Sequence, residues 1–210
     1  VPRFPSRKSP GRKGVAFPDV GAFGKCRCVG YCFLDVCTNV ASATFCISAC
    51  CRLGARCSNA PRTLETIQPF DTKRVGLGVY TTTVLDVGDV VGEYCGELTE
   101  LAAVVDGQPD RSIQQNRGYT LLYNARFTNN NVYVDALNCR SITCFISHAI
   151  HPNAAIVAQQ TSSNVKILLK MLRRVMAGAQ VTVHYGTERW FRCACYACWS
   201  EADADTNNEQ

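Results

Sequence analysis

No stretch of the 210 residues approaches the roughly 18 uninterrupted apolar residues of a membrane span, so no membrane partner is expected. No charged-then-apolar signal pattern follows Val1. Acid is missing from the start of the chain: Arg3, Arg7, Lys8, Arg12 and Lys13 all precede the first acidic residue, Asp19. Histidine is scarce, with three in all. No internal repeat is visible. Cysteine is nearly absent from the long middle, where only Cys95, Cys139 and Cys144 separate Cys57 from Cys193. That last gap argues against a secreted disulfide scaffold, which spreads its bridges over the small fold it staples.

The cysteines that are present crowd the two flanks. Cys26, Cys28, Cys32, Cys37, Cys46, Cys50, Cys51 and Cys57 fill one segment, and Cys193, Cys195 and Cys198 another. Tight thiol clusters beside a middle long enough to bury its own core suit zinc in a reducing compartment, with disulfides the alternative. Two tetrahedral zinc ions offer eight ligand positions. Seven thiolates (Cys26, Cys28, Cys32, Cys37, Cys46, Cys50 and Cys57) fill them if one sulfur bridges, leaving Cys51 unligated or an alternative ligand. The segment has few large apolar residues, so metal would supply its folding energy.

Residues 1–24 carry prolines, glycines and most of the early basic charge. They read as a disordered lead that suits a polyanion such as DNA, or as a plain solvated tail. From Pro69 onward the pattern is mostly β. Residues 75–83 and 90–94 are strand-like, residues 100–105 begin like a short helix, and the chain breaks at Asp106-Gly107 and Pro109. Residues 119–123 and 132–134 read as a hairpin around Asn129-Asn130-Asn131. Residues 165–172 and 180–185 flank a turn at Ala177-Gly178. Gly76-Leu77-Gly78 lacks the third glycine and the helix of a dinucleotide fingerprint; a bulge or a close backbone approach explains it equally. The stretch DALNCRSITCFISHAIHPN, residues 135–153, holds two of the histidines in a strand end running into a polar turn.

In order, these segments resemble the SET-domain protein lysine methyltransferases. Residues 74–79, RVGLGV, are similar to the Gly-Arg-Gly-Trp-Gly-Val loop of that family. Residues 90–97, VVGEYCGE, resemble its Glu-Tyr-x-Gly-Glu strand. Residues 119–122 resemble its Tyr-x-Leu strand, residues 135–153 its Asn-His-Ser-Cys-x-Pro-Asn segment, and residues 177–185 its last strand. Cys37-Thr38-Asn39 and Arg56-Cys57-Ser58-Asn59 resemble steps of the AWS (associated-with-SET) module, and Cys193-x-Cys195-x-x-Cys198 a post-SET motif. The closest resemblance is to the AWS-containing Ash/NSD/SET-two branch.

The resemblance implies a mostly β SET fold of short strands with a pseudo-knot, flanked by zinc-binding cysteine modules. It implies an AWS-like module at residues 25–62, a SET domain at 63–187, a post-SET motif at 188–200 and a polar tail at 201–210. The implied cofactors are S-adenosylmethionine and zinc. The implied partners are a histone tail and the nucleosome, in the nucleus on the chromosome. Gly76, Leu77, Gly78, Ser147, His148 and Tyr185 would meet the cofactor; Tyr185 would be the catalytic tyrosine, with Tyr119 lining the same pocket. Cys26, Cys28, Cys32, Cys37, Cys46, Cys50, Cys57, Cys193, Cys195 and Cys198 would bind metal. Glu93 and Tyr94 read as supporting packing.

This chain differs from the family pattern at named positions. Arg74, Ser147, Gln180 and Val183 replace its glycine, asparagine, glutamate and phenylalanine, and Ile150 replaces a cysteine ligand of the C-terminal zinc. His151 is the nearest substitute ligand, and a smaller Val183 would leave room for higher methylation states. A catalytically inactive, SET-like chromatin-binding module is the alternative reading.

Overall fold

The computed structural model describes residues 17–21, 24–30, 32, 37–102, 119–123, 130–137, 141–186 and 191–199. The basic residues before Phe17, the breaks at Asp106-Gly107 and Pro109, Cys139 and the polar tail lie outside them. Among the described residues the chain is mostly β, and no helix is long and apolar enough to cross a membrane.

Among the described residues, three small sheets form. The first orders β1 (Ile67–Asp71), β2 (Leu77–Thr81), β10 (Gln180–Val183) and β7 (Ser147–His148). β1 and β2 make an antiparallel hairpin, β10 adds antiparallel to β2, and β7 lies parallel to β10 with Val183 opposite His148. The second sheet orders β3 (Val90–Glu93), β9 (Asn164–Met171) and β8 (Ala154–Thr161). The third orders β4 (Glu97–Ala102), β6 (Asn130–Asp135) and β5 (Thr120–Tyr123).

The third sheet corrects two local readings. Residues 100–102, expected to start a helix, continue β4 as a strand. Their register against β6 is unbroken from Glu97↔Asp135 to Ala102↔Asn130, and that pairing overrides a weak local helix preference. Asn130 and Asn131, expected in a turn, sit in β6 for the same reason. The β5–β6 pairing itself is the expected hairpin. Residues 17–21, read as part of a disordered lead, dock on the β8–β9 turn. Ser162 N donates to Gly21 O at 3.0 Å and Gln160 Nε2 to Pro18 O at 2.6 Å.

β9 explains how the layers stack. Its side chains alternate with the two-residue period of a strand. Leu169 and Met171 enter the main core with Val79, Val91, Val181 and Val183. Leu168 faces the other way, against Phe45 of the cysteine-rich segment and Val90. Thr161 Oγ1 donates to Phe45 O at 2.8 Å, and Gln160 N to Ala43 O at 3.1 Å, fixing that segment to the edge of β8. Burial on both faces is why residues 167–171 are apolar almost without interruption.

A local two-fold relation, absent from the sequence reading, joins two turns 90 residues apart. Leu85 and Val175 exchange both backbone hydrogen bonds, at 3.1 and 3.0 Å. Gly88 N donates to Met171 O while Gly178 N donates to Thr81 O; Met171 N donates to Asp89 O while Thr81 N donates to Ala179 O. Both glycines take left-handed backbone, φ +83° and +85°. An L-residue pays about 1–2 kcal/mol there. Gly88→Ala and Gly178→Ala should therefore each lower stability by about 1–2 kcal/mol. Urea unfolding should show a lower midpoint with an unchanged slope, and similar losses at both sites.

Candidate active site and metal centres

β10 carries one end of the site. At its C-terminal end, His184 and Tyr185 leave the sheet beside His148 of the parallel strand β7. Tyr185 N donates to His148 Nδ1 at 3.1 Å. The buried His148 ring is flanked by His184 at 5.0 Å, Phe191 at 5.3 Å and Tyr185 at 5.5 Å between centroids. Phe191 also meets Tyr185 edge-on at 5.7 Å, so the C-terminal segment closes over this corner.

Tyr185 is 49% exposed at its open face, but its hydroxyl turns inward and donates to Ile146 O. Tyr119 lies edge-on to Phe145 at 6.5 Å, and its carbonyl accepts from Tyr94 Oη at 2.8 Å. Burial pushes the Tyr185 phenol up to about 12, with the Tyr119 phenol and the Cys144 thiol adding to the shift. Burial also raises Tyr94, reinforced by Cys144, Tyr185, Asp135 and Tyr119. Hydrogen bonds and ring contacts gather Tyr119 and Tyr185 along residues 145–148. Tyr94, read from the sequence as supporting packing, joins them just after β3 through its bond to Tyr119 O.

The glycine loop approaches from the other side. Gly76 has φ +79° and open space where a Cβ would stand. Gly78 is different: a Cβ there would lie 2.7 Å from Thr72 Cγ2 and 2.9 Å from Phe70 Cε1, so its own hairpin requires glycine. Leu77 is exposed. Gln180, in β10 next to Gly78, donates Nε2 to Ser147 Oγ at 3.1 Å, tying this loop to β7. Ser147 is thus held by a side chain, while Asn153 closes the same segment by donating Nδ2 to Gln180 O at 2.8 Å. Val183 is 1% exposed and packs in the main core.

The amino-terminal cysteines form the interior of their own segment, with Val40, Leu53 and Ala60 as apolar neighbours. The sulfurs of Cys26, Cys32, Cys37 and Cys46 lie within 4.8 Å of one another, as do those of Cys32, Cys46, Cys51 and Cys57. A tetrahedral site with Zn–S bonds of about 2.3 Å has S···S edges of about 3.8 Å. Cys32 lies 3.9 Å from Cys26, 3.7 Å from Cys51 and 3.5 Å from Cys57, so the donor set fits zinc in number, chemistry and spacing. Cys32 and Cys46 belong to both groups, so either sulfur can bridge.

Cys51, expected to be unligated or an alternative ligand, stands in the second group, and Cys50 does not. Cys50 Sγ instead accepts from Ile47 N at 3.2 Å and from Asn39 Nδ2 at 3.5 Å. Adjacent thiols cannot be told apart by spacing; both are buried, and only Cys51 comes within reach of the second group. Cys28 lies outside both groups but packs against the same cluster. Cys46 is held well below the usual thiol range, at about 4, by hydrogen bonds from Cys57, Asn39 and Asn59.

Cys193, Cys195 and Cys198 also come within 4.8 Å of one another. Burial disfavours the Cys195 thiolate, but hydrogen bonds from Ile150 N, Cys193, Ala197 N and Cys198 outweigh it and bring the thiol down to about 7. His151 is exposed and lies outside the group of three, and its backbone carbonyl accepts from Arg173 at 2.7 Å. Tyr196, 83% exposed, lies under the Arg74 guanidinium at 4.3 Å and links this turn to the glycine loop.

Several known proteins are similar to this chain in sequence. The chain is 27% identical over 184 residues to a variant-silencing SET domain-containing protein of Plasmodium falciparum, covering 81% of this chain and 7% of that protein. It is 25% identical over 189 residues to a human histone-lysine N-methyltransferase, H3 lysine-36 specific, covering 85% of this chain and 7% of that protein. It is 23% identical over 169 residues to a protein of the same description from Candida glabrata, covering 79% of this chain and 23% of that protein. The chain thus spans less than a quarter of the length of each of these relatives. The SET-domain family description matches residues 76–186, more than half of the chain. The glycine loop, the parallel β7–β10 pair and the gathered tyrosines all fall within or beside that span, and the chain belongs to the SET-domain family.

Proposed function

We propose that this domain is a protein-lysine methyltransferase that acts on a histone-tail lysine in nucleosomes, in the nucleus. The observation that carries this reading is the gathering of Tyr119 and Tyr185 along residues 145–148 beside His148, with Tyr94 bonded to Tyr119 O. The H3 lysine-36 descriptions of the relatives support histone as the substrate class. The early basic residues suit contact with nucleosomal DNA.

The residues present fit S-adenosylmethionine: the space beside Gly76 is open, and His148, Tyr185 and Phe191 offer aromatic surface at the β7–β10 corner. Gly76, Leu77 and Gly78 would hold it on one side, Ser147, His148 and Tyr185 on the other. When bound it would supply a methyl group on a sulfonium. The chain's own part is orientation. Tyr185 Oη is fixed by Ile146 O, and Tyr94 Oη by Tyr119 O, so the site is supplied with preset oxygens. These groups can align a neutral lysine amine without acting as a strong base. Arg74 on Tyr196 and Phe191 on His148 would keep the C-terminal turn over the site and exclude water.

The cysteine groups would hold zinc as structural ions. Residues 25–62 would form an AWS-like module around two ions, residues 63–187 the SET domain and residues 188–200 a post-SET site of three thiolates. Two ions at residues 26–57 should appear in metal analysis of the intact chain. Cys51→Ser should lower the zinc content, whereas Cys50→Ser should leave it unchanged. Equal zinc in both variants would reject the assignment of Cys51.

The activity is tested by radiolabelled methyl transfer to reconstituted nucleosomes. Tyr185→Phe should fold normally and lose about 100-fold or more in rate, in the range found when one preset polar group is removed from an active site. A phenol raised to about 12 stays protonated through neutral and mildly alkaline pH. The rate should therefore rise with pH as the substrate lysine, with an ordinary pKa of about 10.4, loses its proton. A falling limb between about pH 8 and 10 would contradict Tyr185 as a neutral orienting group.

A further inference from the structure

Lys170 is a cation in a place where cations are rarely left. It lies on β9 and is 6% exposed. Strand alternation turns it away from the main core, to the same face as Leu168, toward the cysteine-rich segment. Its Nζ donates to Asn59 Oδ1 at 2.5 Å. No carboxylate pairs with it among the described residues; the ion pairs found are Lys73–Asp71, Lys166–Glu93 and Arg174–Asp86. An ammonium buried with only a neutral amide as partner is strongly disfavoured.

The compensating charge lies one residue further on. Asn59 is itself 1% exposed, and its Nδ2 donates to Cys46 Sγ at 3.4 Å and to Thr44 O at 2.8 Å. Cys46 is shared by both cysteine groups. The groups together contain six cysteines, Cys26, Cys32, Cys37, Cys46, Cys51 and Cys57. Six thiolates outweigh the charge of two zinc ions, so the loaded cluster is a buried anion. Asn39 Nδ2, at 3.4 Å from Cys46 Sγ, adds a second neutral donor but no charge. Burial lowers the Lys170 pKa, and the Cys46, Cys37 and Cys57 sulfurs pull it back up.

We propose that Lys170 is the charge-balancing residue of the paired metal site, acting through Asn59 on the shared ligand Cys46 and retaining the zinc ions by offsetting the excess negative charge of the thiolates. The proposal rests on the zinc reading of the cluster given above. It assigns the cysteine module a ligand-supporting residue 111 positions away in sequence, inside the SET fold. Metal retention and docking of the module on β9 then share one contact: separating the two layers strips the cluster of its counter-charge. Outer partners of metal ligands are worth about tenfold to a hundredfold in affinity, which sets the size of the expected effect.

The test uses the full chain loaded with zinc, and follows transfer of zinc to a metallochromic chelator. Zinc content of the parent chain is measured first; its absence would sink the zinc reading itself, separately from the role of Lys170. Lys170→Met and Lys170→Gln should release zinc from the paired site about tenfold to a hundredfold faster. Lys170→Gln keeps a donor for Asn59 but no charge, so it separates charge from hydrogen bonding. Lys170→Arg should stay near the parent. Lys166→Met removes the same charge from the same strand at the half-exposed Glu93 pair, and should not change release. With cobalt in place of zinc, the neutral Lys170 variants should shift the sulfur-to-metal charge-transfer bands and Lys166→Met should not. Parent-like release in Lys170→Met or Lys170→Gln overturns the proposal, as does equal acceleration by Lys166→Met. If both neutral variants fail to fold while Lys170→Arg folds, a required positive charge is supported. If Lys170→Arg fails as well, packing is the cause and the proposal is rejected.

Discussion

β10 is hydrogen-bonded on both edges, antiparallel to β2 and parallel to β7, and the candidate site exists because of those two pairings. One edge brings the glycine loop to Gln180; the other brings His148 to Val183, so that Tyr185 leaves the strand already beside the imidazole. A four-residue strand cannot hold two partners through local preference alone. It is held by burial of Val181 and Val183, and by the interlocked turns at Gly88 and Gly178 that fix where β10 begins. The site's geometry is therefore inherited from a backbone constraint rather than from the site residues themselves.

The cysteine-rich segment follows a different logic. Its interior is sulfur, and its few apolar neighbours could not outweigh the conformational entropy of ordering it. Its attachment to the rest of the chain is nevertheless ordinary packing: Phe45 on Leu168, backbone bonds to β8, and one buried ammonium. The two flanking groups are unequal. The first is deeply buried with two shared sulfurs, while the second has three thiols, one of them exposed. Arg74 and Tyr196 give the second group a further hold on the glycine loop.

Departures from the family pattern largely sit in hydrogen-bonded or packed places. Ser147 and Gln180 bond to each other, Val183 fills the main core, and Arg74 stacks on Tyr196.

The sequence by itself determined the class and the order of parts. Short apolar runs broken by glycine specify strands, and clustered thiols specify two flanking groups, because period and spacing are local properties of the chain. Gly76, Tyr119, His148 and Tyr185 stand out for the same reason, as members of ordered motifs. Tertiary structure decided what local pattern cannot encode. It made residues 100–102 a strand because β6 lies alongside, and brought Cys51 rather than Cys50 within reach of the second group. It joined Tyr94 to Tyr119 O, and it revealed a two-fold relation between turns whose only plain sequence trace is a glycine at 88 and at 178. It placed Lys170 beside a cluster that ends more than a hundred residues earlier. In each case the deciding partner is distant in sequence and near in space, and only the folded chain brings the two together.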